Sequence, residues 1–315
     1  MGYGNVGRAF ARLLETQRKA YPFRIVGIQT LRHGAAIDPA GLAIDPAFGE
    51  RFESIGAFLD RAQPEVVVEL TTLNPATGEP AISHIRAAFQ RSLHVVTANK
   101  GPIAHAYSAL AAEARRAGVE FRFESTVMDG APVFNFVRNT LPGCRILGFT
   151  GVINSTTNIV IQALSAGRTL EEGIEEARRL GIAEADPSFD IDGWDAAAKT
   201  AALANVLLDA GVTPLDVDRR GIGRLTPEKM ASVRQQGKTI RLVSRARTAP
   251  SGVKLRVRAE VLDETDVLAS ARGTSNLLLF ETDLMGIVGT VEIAPGVQQT
   301  AYGVFSDLVD IARTL

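Results

Sequence analysis

Between Glu184 and Lys199 the chain places four aspartates (Asp186, Asp190, Asp192 and Asp195), one glutamate and one lysine within sixteen residues. The run begins at Gly181-Ile182-Ala183-Glu184-Ala185-Asp186-Pro187, in a chain otherwise apolar and rich in small residues. Asp195 and Lys199 are four apart at the start of a helical pattern, so their side chains share a face. Carboxylates beside a lysine suit a substrate that carries an ammonium group and a reaction that needs a proton donor. The plain alternative is an acidic loop followed by a surface ion pair.

Few other groups could move a proton. The four histidines, His33, His84, His94 and His105, all lie in the first third of the chain, and Cys144 is the single cysteine. A zinc centre of the usual His/Cys type and an intramolecular disulfide are therefore excluded as readings. None of Tyr3, Tyr21, Tyr107 and Tyr302 has a lysine four residues on. The lysines are Lys19, Lys100, Lys199, Lys229, Lys238 and Lys254. Lys199 stands beside the acidic run. Lys100 stands just beyond a strand pattern, where ligands of open α/β sheets bind.

The first part of the chain supplies a nucleotide-binding frame. Gly2-Tyr3-Gly4-Asn5-Val6-Gly7 is a G-x-G-x-x-G fingerprint running into a helical pattern from Arg8 to Lys19. Its glycines permit a tight turn, close approach of a pyrophosphate, and close helix–strand packing. The phosphates then rest on the helix N-terminus. Strand patterns at 23–28, 65–70, 94–98 and 120–124 alternate with helical ones at 81–92 and 104–117, which predicts a parallel sheet. The cofactor set is thus Gly2, Gly4, Asn5, Val6 and Gly7, with Thr71 and Lys100 just past strand ends. The fingerprint normally follows a central strand, and only Met1 precedes it. A first strand of roughly five or six residues is expected to be missing. The second strand ends Ile28-Gln29-Thr30-Leu31-Arg32-His33, without the acid that binds a ribose diol. Arg32 suits a 2′-phosphate, which points to NADP with NAD as the alternative. Read plainly, Arg32 is a solvated loop residue.

The remaining signals concern the second half. Thr169-Leu170-Glu171-Glu172 is a capping box opening a helix that ends at Gly181. Asp192 is the expected cap of the helix carrying Asp195 and Lys199. Strands are predicted at 145–153, 255–261 and 276–281. Three segments follow: a nucleotide domain over 1–130, a catalytic and dimerisation domain over 131–285, and a return to the first domain over 286–315. Hydrophobic content of 46%, charged content of 22% and a net charge of -1 describe a soluble globular protein with no electrostatic pull toward nucleic acid or acidic membranes. The single cysteine and the absence of a signal-peptide layout or a transmembrane-length apolar run lead to a cytoplasmic expectation.

Together these segments closely resemble the homoserine dehydrogenase family. The matching residues are Gly2 to Gly7, Val95-Val96-Thr97-Ala98-Asn99-Lys100-Gly101-Pro102, Ser155-Thr156-Thr157-Asn158, and Gly181 to Lys199. Thr282-Asp283-Leu284-Met285-Gly286 and Thr300-Ala301 are also in register. The resemblance spans essentially the whole chain. It implies a Rossmann-type, doubly wound nucleotide-binding domain joined to an α+β catalytic and dimerisation domain. It implies NAD(P)H-dependent reduction of L-aspartate 4-semialdehyde to L-homoserine, on the route to threonine, methionine and isoleucine, by a homodimer. It assigns Lys199 as the catalytic lysine, Glu184 and Asp195 to substrate with Asp190 close by, and Lys100 to the cofactor–substrate junction. It assigns Glu124, Val127, Asp129 and Ala131 to a monovalent cation such as sodium. Asp195 is expected to serve the substrate rather than to tune Lys199.

The chain departs from the family in three places. The first strand is expected to be missing. Met128-Asp129-Gly130 replaces a Gly-Gly-Gly, and Ala294-Pro295-Gly296-Val297-Gln298 replaces a late Gly-x-Gly-Ala-Gly. These departures motivate a competing reading, a catalytically impaired NADP-binding regulatory protein of the same fold. Another amino-acid dehydrogenase, such as aspartate dehydrogenase, is a third reading, and it would have no reason to carry the acidic run with its lysine. No C-terminal regulatory domain of the ACT type is expected.

Overall fold

The computed structural model describes residues 1–183 and 186–314. It divides into two compact units, 1–135 with 296–315 and 136–295. The first unit begins with helix α1 (Asn5–Gln17), which starts immediately after Gly4 and carries the third fingerprint glycine, Gly7, in its first turn. Then come β1 (Gly27–Thr30), β2 (Gly34–Ile37), α2 (Ile55–Ala62), β3 (Val66–Glu69), α3 (Ala81–Phe89), β4 (His94–Thr97), α4 (Lys100–Ala117) and β5 (Phe121–Arg122). β3, β4 and β5 form a parallel sheet with β4 in the middle, as the strand–helix alternation requires.

β1 is not part of that sheet. It pairs antiparallel with β2 in a separate hairpin, with Thr30 opposite Gly34. The strand is also shorter and later than the 23–28 expected from its apolar pattern. Backbone at 25–26 is satisfied instead by the following loop, where Asp38 N–H donates to Val26 O at 3.0 Å and Leu42 N–H to Ile25 O at 2.8 Å. The chain start links β1 and β3. The Met1 amino group donates to Val68 O at 2.8 Å, Leu70 N–H donates to Met1 O at 2.8 Å, and Gly2 N–H donates to Gln29 O at 3.0 Å. Beside this link runs a groove of about 520 Å³ lined by Phe10, Leu14, Ile25, Val66, Val68 and Leu308. Its walls mix apolar side chains with polar surface, and β3 borders it, so it offers a strand edge to an extended segment. Extending the chain ahead of Met1 by an apolar strand of about six residues is therefore expected to raise the melting temperature. An unchanged melting temperature would show that the groove does not accept a strand.

The first unit is closed by α11 (Val297–Thr314), whose Ala301, Val304, Phe305 and Leu308 share one core with Phe10 and Leu14 of α1 and Val96 of β4. α5 (Phe134–Thr140) carries the chain across the boundary between the units.

The second unit contains β6 (Ile146–Val152), α6 (Ser155–Ser165), α7 (Leu170–Arg179), α8 (Ser188–Ile191), α9 (Trp194–Leu207), β7 (Asp218–Arg219), α10 (Pro227–Arg234), β8 (Lys238–Ala249), β9 (Gly252–Asp263), β10 (Asn276–Thr282) and β11 (Ile287–Glu292). Its six strands run in the order β11-β10-β6-β8-β9-β7, antiparallel except for the β7–β9 pair. α9 is alanine-rich and buried along most of its length, so small side chains let it pack closely on β8 and β9. The capping box forms as its sequence requires, with Thr169 N–H donating to Glu172 Oε2 at 2.8 Å and Glu172 N–H to Thr169 Oγ1 at 3.2 Å. Four strands escaped the sequence patterns, β2 in the first unit and β7, β8 and β11 in the second. In β8 the buried run at 240–244 is continuous and includes Arg241, so no apolar–polar alternation marks it.

Candidate active site

The acidic run and Lys199 are organised by the end of β6. Directly after that strand, Ile153 O accepts a hydrogen bond from Lys199 Nζ at 2.8 Å. The next residue, Asn154, caps α6 by accepting from Thr157 N–H at 2.8 Å. Its amide then donates twice, to Asp190 Oδ1 at 2.7 Å and to Asp195 Oδ2 at 2.9 Å. Asp195 Oδ2 also lies 3.2 Å from Lys199 Nζ, with side-chain exposures of 12% and 15%. Asp190, Asp195 and Lys199 are thus brought to one point. This is a largely desolvated pair and not the exposed i,i+4 contact of the plain alternative, which is worth only about 0.3–0.5 kcal/mol. Asp195 was expected to serve the substrate rather than to tune Lys199, and here it also contacts the lysine. The reason is local: one helical turn separates the two, and the Asn154 amide holds the carboxylate on that side.

One cap differs from the sequence reading. The residue before α9 is Gly193 in the left-handed conformation, φ 81°, with no side-chain cap, so Asp192 does not cap the helix. Asp192 instead offers its backbone carbonyl to the Arg219 guanidinium, which stacks 3.7 Å from the Trp194 ring centroid and pins the start of α9. Glu184 lies outside the described residues. Asn154 was not singled out from sequence, although an Asn between a strand and a helical pattern is a standard cap signal. What sequence could not show is that its amide faces two aspartates 36 and 41 residues away.

Burial first, and the Asp195 carboxylate second, push the Asp190 carboxyl above the usual carboxylate range, while Asn154, Lys199 and Thr156 offset part of the shift. An aspartate with a raised folded pKa holds its proton longer when folded, so its contribution to stability declines as pH rises through that pKa. Asp190→Asn is therefore expected to raise the melting temperature near neutral pH. The gain should vanish below the ordinary carboxylate pKa of about 3.9, where both side chains are neutral. Melting curves across this range test it, and a gain independent of pH would contradict the assignment.

In the first unit, Gly2 and Gly4 differ in what requires them. Gly2 has φ +78°, and an added Cβ would meet Leu70 O at 2.6 Å, so the fold itself demands glycine there. Gly4 has an ordinary extended φ of -83°, and an added Cβ would meet nothing within 4 Å. Protein packing does not explain Gly4. Close approach of a phosphate to the first amides of α1 does, so the residues present fit a dinucleotide. Asn5 and Val6 open that helix, and Gly7 packs near the Tyr3 ring.

Thr71 and Lys100 are held at the carboxyl ends of β3 and β4. Asn99 caps α4 by accepting from Gly101 N–H at 2.9 Å and donates to Thr71 O at 3.1 Å. Lys100 is the first residue of α4. Glu69, unremarked in the sequence, is fully buried beneath this pair. It accepts from Thr71 N–H at 3.2 Å, from the Thr71 hydroxyl, and from Thr97 Oγ1 at 3.4 Å. An acid ending an apolar strand gives no sign that it fixes the loop beyond. Arg32 is exposed in the turn between β1 and β2, which His33 N–H closes by donating to Thr30 Oγ1 at 2.8 Å.

Glu124 is 3% exposed, and its carboxylate caps the start of α5. Oε1 accepts from Val133 N–H and from Phe134 N–H at 2.8 Å, and Oε2 accepts from Asn135 N–H at 2.8 Å. Val127 and Ala131 are buried nearby in sequence, while Asp129, at φ 43°, accepts from Thr300 Oγ1 at 2.8 Å. Among the described residues no cluster of three or more His, Cys, Asp or Glu side chains could hold a metal ion.

A fingerprint helix on a parallel sheet, with a lysine–carboxylate cluster on a second, mixed sheet, defines an NAD(P)-dependent oxidoreductase with a Rossmann-type domain and a separate catalytic domain. Comparison with known proteins narrows the class. The homoserine dehydrogenase family model matches residues 132–309, and the model of the homoserine dehydrogenase NAD-binding domain matches residues 2–124. The chain belongs to the homoserine dehydrogenase family. It is 37% identical to the homoserine dehydrogenase of Methanocaldococcus jannaschii, over 99% of this chain and 97% of that one. It is 35% identical to the NAD(+)-dependent homoserine dehydrogenase of Pseudomonas canavaninivorans, over 100% and 95% of the two chains. Its fold matches that of a hyperthermophilic archaeal homoserine dehydrogenase in complex with NADPH, with a TM-score of 0.83, 27% identity, and coverage of 100% and 96%.

Proposed function

We propose that this protein reduces L-aspartate 4-semialdehyde to L-homoserine with a preference for NADPH, and that Lys199 supplies the proton. The observation that carries the reading is the Asn154–Asp190–Asp195–Lys199 cluster. Glu184, Asp190 and Asp195 bind the substrate ammonium through charge-assisted hydrogen bonds and orient the aldehyde. The dinucleotide, when bound, supplies the hydride. As negative charge grows on the aldehyde oxygen, the Lys199 ammonium stabilises it and transfers its proton, giving the alcohol. Lys100 contacts the substrate and cofactor, and Gly2, Gly4, Asn5, Val6, Gly7 and Thr71 cradle the dinucleotide. Glu124, with carbonyls of Val127, Asp129 and Ala131, takes a monovalent cation.

Assay of the protein with aspartate semialdehyde and each of NADH and NADPH tests the activity; no turnover with either would defeat the reading and favour the impaired regulatory alternative. The cluster in the second unit argues against that alternative. For cofactor choice, Arg32→Ala should weaken NADPH binding by about tenfold, the worth of one charge-assisted contact, and leave NADH nearly untouched. Equal losses for both would remove Arg32 from the phosphate site. We also propose a homodimer in the cytoplasm. Ile287 and Val291 are exposed on one face of β11 and suit burial against a second copy. Among the described residues no helix is long and apolar enough to cross a membrane.

A further inference from the structure

The second unit holds another pocket, remote in composition from the cluster above. It measures about 320 Å³ and is lined by Arg234 of α10, Lys238 and Arg241 of β8, and Arg272, with Glu264 as its one carboxylate. Asn158 of α6 lines it as well. Asp190, Asp195 and Lys199 do not.

Arg241 is the telling residue. It is 8% exposed, yet every acceptor it meets is neutral. Nε donates to Ala271 O at 2.8 Å, Nη1 to Thr239 Oγ1 at 2.9 Å and to Ile240 O at 2.8 Å, and Nη2 to Ala269 O at 2.8 Å. Among the described residues no carboxylate pairs with Arg241, Arg234 or Arg272, and Lys238 reaches only Asp263, at 3.8 Å. A buried charge normally has a counter-charge, because burial without one is costly. Burial first, and the Arg272 charge second, pull the Arg241 guanidinium below its usual value. Asn158 adds an independent observation. It is 3% exposed, its amide donates to Ser275 O at 3.1 Å, and its Oδ1 is buried without a partner. The pocket thus offers four cations against one carboxylate, with a spare acceptor on its wall.

We propose that this pocket binds a small multivalent oxyanion carrying a hydroxyl group. Arg234, Lys238 and Arg272 hold the charged oxygens, Arg241 supplies the buried positive floor, and Asn158 Oδ1 accepts from the hydroxyl. Guanidinium groups match carboxylate and phosphate geometry equally, so a hydroxylated polycarboxylate and a hydroxylated phosphate ester share the required chemistry. The volume lies at the small end of ligand pockets, which suits a compact metabolite.

Calorimetric titration of the NADPH-saturated protein at fixed ionic strength tests the proposal, with citrate and glycerol 3-phosphate as separate probes. NADPH keeps the phosphate sites of the first unit filled. At least one probe should bind once per chain, and the probe that does so identifies which oxyanion the site takes. The double variant Arg234→Ala/Arg272→Ala, both residues being exposed, should weaken that binding by at least roughly tenfold, as expected on losing two charge-assisted contacts. Arg313→Ala, an exposed arginine in the other unit, should leave it unchanged. Absence of binding by both probes overturns the proposal, and so does equal affinity in the double variant.

Discussion

Lys199→Ala lowers kcat for aspartate semialdehyde by roughly 10²–10⁴, the range for loss of a general acid. The lysine belongs to the second unit and the nucleotide-binding residues to the first, so NADPH affinity stays within about twofold of normal, well under one 1.4 kcal/mol decade. Stability does not escape. Lys199 and Asp195 are mostly buried, and deleting one partner of a fully buried pair costs about 3–5 kcal/mol. Here some exposure remains, so the loss is smaller, and the assay is run well below the measured melting temperature. Lys199→Arg separates the two effects. It preserves the charge beside Asp195 but cannot give up a proton at neutral pH. Recovery of the melting temperature without recovery of kcat marks a proton donor. Near-normal kcat in Lys199→Ala would transfer that role to Lys100.

Gly4→Val weakens NADPH binding by roughly 10²–10³, the loss of one or two hydrogen bonds to charged phosphate at about 1.5–3 kcal/mol each. The fold tolerates the change. Gly4 has φ -83°, and its missing Cβ faces open space. Only the helix cap suffers, by about 1 kcal/mol, since valine is a poor residue at that position. Gly2→Val supplies the contrast. Its φ of +78° and the nearby Leu70 carbonyl make that substitution a folding defect. Fluorescence titration with NADPH and a melting curve read the two quantities separately. An unaltered dissociation constant in Gly4→Val would show that the pyrophosphate does not lie on the first turn of α1.

The features legible in sequence are those settled within one turn or one element. The fingerprint glycines, the Thr169 capping box, and the Asp195–Lys199 spacing depend on neighbours three or four residues away, and all three form. The alternation of strands and helices was enough for the parallel β3-β4-β5 sheet. Tertiary structure decided the rest, because it joins groups that no local rule connects. Ile153 O meets Lys199 across 46 residues, and the Asn154 amide gathers Asp190 and Asp195, only because β6 ends beside α8 and α9. Glu69 fixes Thr71 and reaches Thr97, 28 residues on, through the register of β3 and β4. Arg241 reads in sequence as one of many surface arginines. Central placement of β8 in the second sheet buries it among carbonyls, and strand order is set by packing over the whole unit rather than by the residues of β8.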